Sequence, residues 1–263
     1  MSDQDLVYKI GVVPQFTKEA NSDAWHTDAW QTLISEYERY SSYRFTLAAV
    51  DSFEEFEKAC ARGEYDFVYL NPLQAHLLWK GRIYKPIAKD TGAGLQGIVV
   101  VRKDSVIKNL KELTGMAMDF SSPNSFSASM ALRADMENLF GVNVKERYVY
   151  DQSLVYQNVA QGLAIAGGGD QITLSHQPAE IQKSLRVIYG TRTLPGHAFA
   201  VRANLPEPVI RHMQETLLKI GETAAGRSLL SAIHVLQIDV ASGKDYDGIA
   251  AMQLRKWYQG GLR

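Results

Sequence analysis

The segment Asp119-Phe120-Ser121-Ser122-Pro123-Asn124-Ser125-Phe126-Ser127-Ala128-Ser129 holds five serines between an apolar run and a helix-like run. A helix start presents backbone N–H groups without intrahelical partners, at the positive end of the helix dipole. Serine hydroxyls beside them donate to anionic oxygens, so such a site binds a phosphate-like group with no lysine or arginine. The other use of these residues is N-capping, which one serine satisfies alone. A single serine here reads as a cap, and the cluster leaves both readings open. The second chemically capable segment is Tyr69-Leu70-Asn71-Pro72. Tyr69 closes a strand-like run, where its hydroxyl either donates to a ligand oxygen or packs beneath the loop. Phe16, Trp25 and Trp30 read as core or lid aromatics, with core the more common fate.

Catalytic patterns are missing. The six histidines show no HExxH spacing and no carboxylates at ligand spacing, so neither a metal nor a cofactor is expected. No P-loop and no GxSxG occurs. Gly167-Gly168-Gly169-Asp170 is a bare triple glycine without phosphate-loop spacing, and it reads as a flexible connector or a place where backbone approaches ligand. Asp119, Asp151 and Asp170 have no evident paired acid, which leaves capping or solvated roles as the default. Cys60, the only cysteine, sits in a helix-like run and reads as a buried structural thiol.

These residues need a frame, and 263 residues at 46% hydrophobic and 22% charged are enough for one large domain or two small ones. The formal charge is −1 with Lys and Arg spread along the chain, which argues against a nucleic-acid partner. Apolar stretches such as Gly97–Val101 are strand-sized, so no membrane insertion is expected. The start, Met1-Ser2-Asp3-Gln4-Asp5, has neither a basic region nor an apolar one. It fits a cytosolic protein or a mature domain without its leader.

Apolar runs at 7–13, 44–50, 66–70 and 84–88 read as strands. Helices are expected at 28–40, from an Asp51 or Ser52 cap to Ala61, and from Pro72 to Trp79, with Gly63 just past a helix end. The rhythm restarts after Asp90. Strands are expected at 97–101, 115–119, 145–149, 185–188 and 198–201. Helices are expected at 108–113, from Ser125 or Ser127 to Phe140, at 153–161, and over most of the chain from Glu207. Such alternation predicts mainly parallel α/β sheets that bind ligands at the carboxyl ends of strands, here the loops Pro14–Thr17, Tyr69–Pro72 and Ser121–Ser127. Crossings near Asp90–Gly97 and Tyr189–Pro195 divide the chain into one lobe of 1–92 plus 193–263 and a second of 93–192.

The order of several short stretches over residues 7–220 is that of a known family. They are Lys9-Ile10-Gly11-Val12-Val13-Pro14, Gly63–Pro72, Val100–Ser105 with Leu110–Gly115, Pro123–Ala128, and Phe199–Arg202 with Leu205-Pro206. The chain resembles the phosphate/phosphite/phosphonate-binding components of ABC transporters. The resemblance implies a two-lobe type II periplasmic-binding-protein fold, each lobe a mixed, mainly parallel sheet flanked by helices, with a hinge and an interlobe cleft. It also implies a family Ser-Thr-Ser run, a tyrosine and a histidine holding the phosphonate group. Carried over, the run places Ser125 and Ser127, the tyrosine is Tyr69, and Asn124 assists. The family threonine is Phe126 here and the following glycine is Ala128; Gln152, beside Asp151, stands at the histidine position. The family's acidic position is also lost in Leu163-Ala164-Ile165-Ala166. Each charge-assisted hydrogen bond lost is worth roughly 1.5–3 kcal/mol, so two such losses weaken phosphonate binding by about a hundredfold or more. A less charged or more apolar solute fits that pattern.

The resulting expectation is a binding protein, not an enzyme. It captures a small ligand, a phosphonate-, phosphite- or phosphate-like oxyanion, and hands it to an ABC permease. The resemblance makes it periplasmic or otherwise extracytoplasmic in mature form. The alternatives are a ligand-sensing domain of a signalling system and, less in keeping with Gln152, an enzyme on the same scaffold.

Overall fold

The computed structural model describes residues 7–13, 27–48, 50, 52–92 and 94–262. The expected loop Pro14–Thr17, Phe16, Trp25 and the Asp51 cap lie outside them. The described chain forms two compact units. Unit 1 comprises Met1–Gly94, Pro195–Gly248 and Gly260–Arg263; unit 2 comprises Leu95–Leu194 and Ile249–Gln259. The expected tail of the first lobe is therefore divided, and 249–259 packs with unit 2.

Unit 1 is built on a six-stranded sheet from β1 (Val7–Val12), β2 (Arg44–Ala48), β3 (Phe67–Leu70), β4 (Tyr84–Asp90), β10 (Ala198–Arg202) and β11 (Ile238–Val240). Its order is β11-β4-β10-β3-β1-β2. β1 pairs in parallel with β2 and β3, while β10 runs antiparallel to β3 and β4, and β11 antiparallel to β4. Phe67 and Tyr69 join Ile10, Trp30, Phe199, Met213 and Leu217 in one core beneath α1 (Thr27–Arg39), α8 (Glu207–Glu222) and α9 (Ala224–Ala232). Val68 and Leu70, fully buried, point to the other face, because strand side chains alternate. There α2 (Phe53–Ala61) and α3 (Pro72–Lys80) contact the sheet. Ser52 caps α2 by accepting the Glu55 N–H, and Cys60 within it is fully buried, its thiol pushed well up by burial.

Unit 2 has five strands: β5 (Gly97–Arg102), β6 (Ala117–Phe120), β7 (Lys145–Tyr148), β8 (Ala166–Asp170) and β9 (Leu185–Gly190), in the order β7-β6-β8-β5-β9. β6 is parallel to β7 and β8; β5 is antiparallel to β8 and β9. Both sheets are thus more evenly mixed than the β/α rhythm predicts. The cause is that β10, β11, β5 and β9 enter from connections that are not simple crossovers. α5 (Gln152–Ala160) contacts β8 and β5, as does the helix start at Phe126–Ala131 that continues into α4 (Leu132–Phe140). Short α6 (Gln171–Ser175) and α7 (Ala179–Ser184) complete the unit, and 243–252 is a 3₁₀ helix.

The triple glycine is the main correction. Gly167, Gly168 and Gly169 form β8 inside the sheet, not a connector. A Cβ on Gly167 would lie 2.6 Å from Val155 Cγ1, and one on Gly168 would lie under 3.0 Å from the Phe120 ring and from the Ala128 carbonyl oxygen. A Cβ on Gly169 would meet Tyr156 and Gln152. Glycine lets two helices approach the two faces of one strand closely.

Candidate functional site

In unit 2 the serine-rich segment joins β6 to α4 through a widened turn. Ser125 has extended backbone, and its carbonyl accepts both the Ser129 N–H at 3.2 Å and the Met130 N–H at 2.9 Å. The first turn, Phe126–Ala131, is π-helical, a geometry that recurs at functional sites. The N–H groups of Phe126, Ser127 and Ala128 precede the first hydrogen bond of the helix and project from its positive end. The Ser125 hydroxyl makes no capping bond and the residue keeps partial exposure. Ser127 is 8% exposed, and the Ser129 hydroxyl is fully buried without a hydrogen bond. Phe126, where the family carries a threonine by resemblance, is only 5% exposed.

The serine hydroxyls are therefore not spent on capping. Asn124 has a different partner: its Oδ1 accepts the Gln259 N–H at 2.8 Å.

Gln152 and Asp151 sit at the start of α5. Asp151 is the N-cap, accepting the Leu154 N–H at 2.9 Å, and Gln152 Nε2 donates to the Gly168 carbonyl at 3.2 Å. Gln152 Oε1 is buried and makes no hydrogen bond. The helix start and Gln152 thus meet on β8: Gly168 is crowded by the Ala128 carbonyl and bonded by Gln152. Of the other acids, Asp170 caps α6 through the Thr173 N–H, and burial raises its carboxyl. Asp119 is buried and ion-paired with Arg147, with Asn158 donating to it as well.

In unit 1, Tyr69 is 2% exposed, and its ring packs against Phe199 (centroids 4.7 Å), Trp30 (5.3 Å) and His197 (5.3 Å, stacked). Burial, with Asp90 and Tyr246 nearby, pushes its hydroxyl well above the ordinary range, so it stays a neutral donor. The turn after it is rigid: Asn71 and Gln74 form a reciprocal capping box, and Gln74 Nε2 donates to buried Glu57. His197 was not singled out from sequence, because one histidine in a glycine- and proline-rich stretch carries no spacing signal. It keeps partial solvent access, yet the protein packed around it depresses its imidazole to about 4, so it is neutral. Beside it, burial raises the Asp90 carboxyl, which accepts backbone N–H groups from Gly92 and Gln237.

Among the described residues no group of His, Cys, Asp and Glu is arranged to hold a metal ion, and no helix is long and apolar enough to cross a membrane. What the elements offer is neutral donors and backbone N–H groups.

Two α/β units, one with a serine-rich π-helical start, define a substrate-binding protein of the periplasmic type II class. The family model for the periplasmic substrate-binding protein of phosphonate ABC transporters matches residues 10–246, and the chain belongs to that family. Among solved structures, a Xanthomonas citri protein bound to ATP has a TM-score of 0.78 at 15% identity, covering 96% of this chain and 99% of its own. A binding-protein component of an ABC phosphonate transporter from Pseudomonas aeruginosa has a TM-score of 0.76 at 14% identity, covering 94% and 85%. The PhnD1 protein of Prochlorococcus marinus, in complex with methylphosphonate, has a TM-score of 0.76 at 16% identity, covering 94% and 96%. A comparison with curated protein sequences gave no match.

Proposed function

We propose that this protein captures a phosphonate-like oxyanion outside the cytoplasm and passes it unchanged to an ABC permease. The observation that carries the reading is the widened helix start at Ser125–Ser129. It has three N–H groups ahead of the first helical bond and hydroxyls of Ser125, Ser127 and Ser129 that are not used in capping. Such a start supplies the hydrogen bonds an oxyanion needs, without a cation. Tyr69, a neutral donor at the end of β3, and Gln152, at the histidine position of the family, are the proposed further contacts. Asp151 and Phe126, neighbours in sequence of these donors, are the residues proposed to set specificity by charge and shape.

With no basic side chain in this set, charge discrimination is weak. The absence of a cation tilts the reading toward a singly charged phosphonate over a dianion. The similar structures from a phosphonate transporter and in complex with methylphosphonate make methylphosphonate the first ligand to try. Ser127→Ala removes one hydroxyl while the Ala128–Leu132 packing stays. Titration calorimetry should show methylphosphonate binding about tenfold weaker, the worth of one hydrogen bond to a charged group. Equal affinity in Ser127→Ala and the unaltered protein would place the site elsewhere.

A further inference from the structure

The segment Ile249–Gln259 lies beyond the residues that match the family, and it packs with unit 2. Its buried Leu254 and Trp257 anchor it, and three polar contacts tie it to the serine-rich loop and to α4. The Gln259 N–H donates to Asn124 Oδ1 at 2.8 Å. Arg133, 6% exposed, donates through Nη2 to the Pro123 carbonyl at 2.6 Å and to the Trp257 carbonyl at 3.2 Å. Lys256 pairs with Glu137. Pro123 and Asn124 are the two residues immediately before Ser125, so these bonds fix the path by which the chain enters the π-helical turn.

The loop needs such support, because it has little hydrogen bonding of its own. Its described backbone bond is Ser125 N–H to the Ser122 carbonyl, long at 3.4 Å. Arg133 is costly to bury, and burial lowers its pKa. Its compensation is the Tyr148 ring at 5.9 Å, Glu146 at 3.7 Å and the two carbonyls, one from the loop and one from the segment.

We propose that Ile249–Gln259 is a strap that holds the serine-rich helix start in binding geometry, with Asn124 and Arg133 as positioning residues. The proposal rests on the oxyanion reading of that helix start. A loop ordered before ligand arrives does not charge its ordering entropy to binding, so the strap shows in affinity. It also gives Asn124 a role without ligand contact.

The test separates the strap's backbone donor from its side chain. Gln259→Pro deletes the N–H that reaches Asn124, whereas Gln259→Ala keeps it. The strap predicts that Gln259→Pro weakens methylphosphonate binding about fivefold, the worth of one neutral hydrogen bond, while Gln259→Ala binds like the unaltered protein. Hydrogen exchange gives a second readout: in Gln259→Pro the amides of Ser129 and Met130, which bond the Ser125 carbonyl, should exchange faster, with those of β5 unchanged. If both variants match the unaltered protein in affinity and exchange, the strap is overturned. If exchange at Ser129 and Met130 accelerates in a protein that binds no oxyanion at all, the strap stands and the oxyanion reading falls.

Discussion

At the scale of single residues, the side chains proposed as ligand contacts are neutral, and so is the histidine stacked on one of them. Tyr69 is held protonated by burial, Gln152 is an uncharged amide bonded to the Gly168 carbonyl, and His197 is an imidazole kept uncharged at about 4. His197 carries a pH prediction. In the unfolded chain it titrates near 6.5, so between about pH 6.5 and 4 the unfolded state binds the proton that the folded state refuses. Stability therefore falls as pH is lowered through that window, by on the order of 2 kcal/mol, since the ring keeps some solvent access. Urea unfolding at pH 7 and pH 4.5 should show a smaller loss in His197→Gln; an identical pH slope in both proteins would contradict the assignment. This residue was not legible beforehand, because burial and stacking on Tyr69 are tertiary facts. Tyr69 itself and the serine cluster were legible, since each ends or begins an element whose apolar run is plain. The burial of Phe126 and the use of Asn124 Oδ1 by Gln259 were not, because both are set by tertiary packing.

At the scale of elements, β8 shows where composition misleads. Three glycines have low strand propensity, yet they form a strand because Phe120, Val155, Tyr156 and the Ala128 carbonyl occupy the space a Cβ would need. Gly168→Ala would force the helix start away from the sheet. It should cost about 1–3 kcal/mol, the usual price of overpacking a filled core. Because the Ala128 carbonyl is displaced along with the Phe120 ring, methylphosphonate affinity should fall as well. Denaturant unfolding with calorimetry checks both, and a Gly168→Ala protein of unaltered stability would contradict the packing account. The remaining strands and the long helices followed from apolar runs and caps. Ser52, Asn71 and Asp151 all accept the capping bonds their residue types favour. The short strand β11 and helices α6 and α7 were missed, being too short to show a period.

At the scale of the whole molecule, the chain belongs to the periplasmic substrate-binding family of phosphonate ABC transporters. The β/α order and the family stretches carried that in the sequence. The path of the chain beyond Val240 did not show there, since a 3₁₀ helix and a strap have no hydrophobic period to read. The central claim is that the ligand is an oxyanion, and thermal unfolding across a ligand panel tests it most directly. The panel holds methylphosphonate, phosphite, phosphate, 2-aminoethylphosphonate, sulfate and uncharged solutes of similar size. A ligand at a hundredfold excess over its Kd stabilises the folded state by about 2.7 kcal/mol. The account predicts that methylphosphonate or phosphite raises Tm by several degrees while the uncharged solutes leave it unchanged. A Tm raised by an uncharged solute and by none of the oxyanions would contradict it.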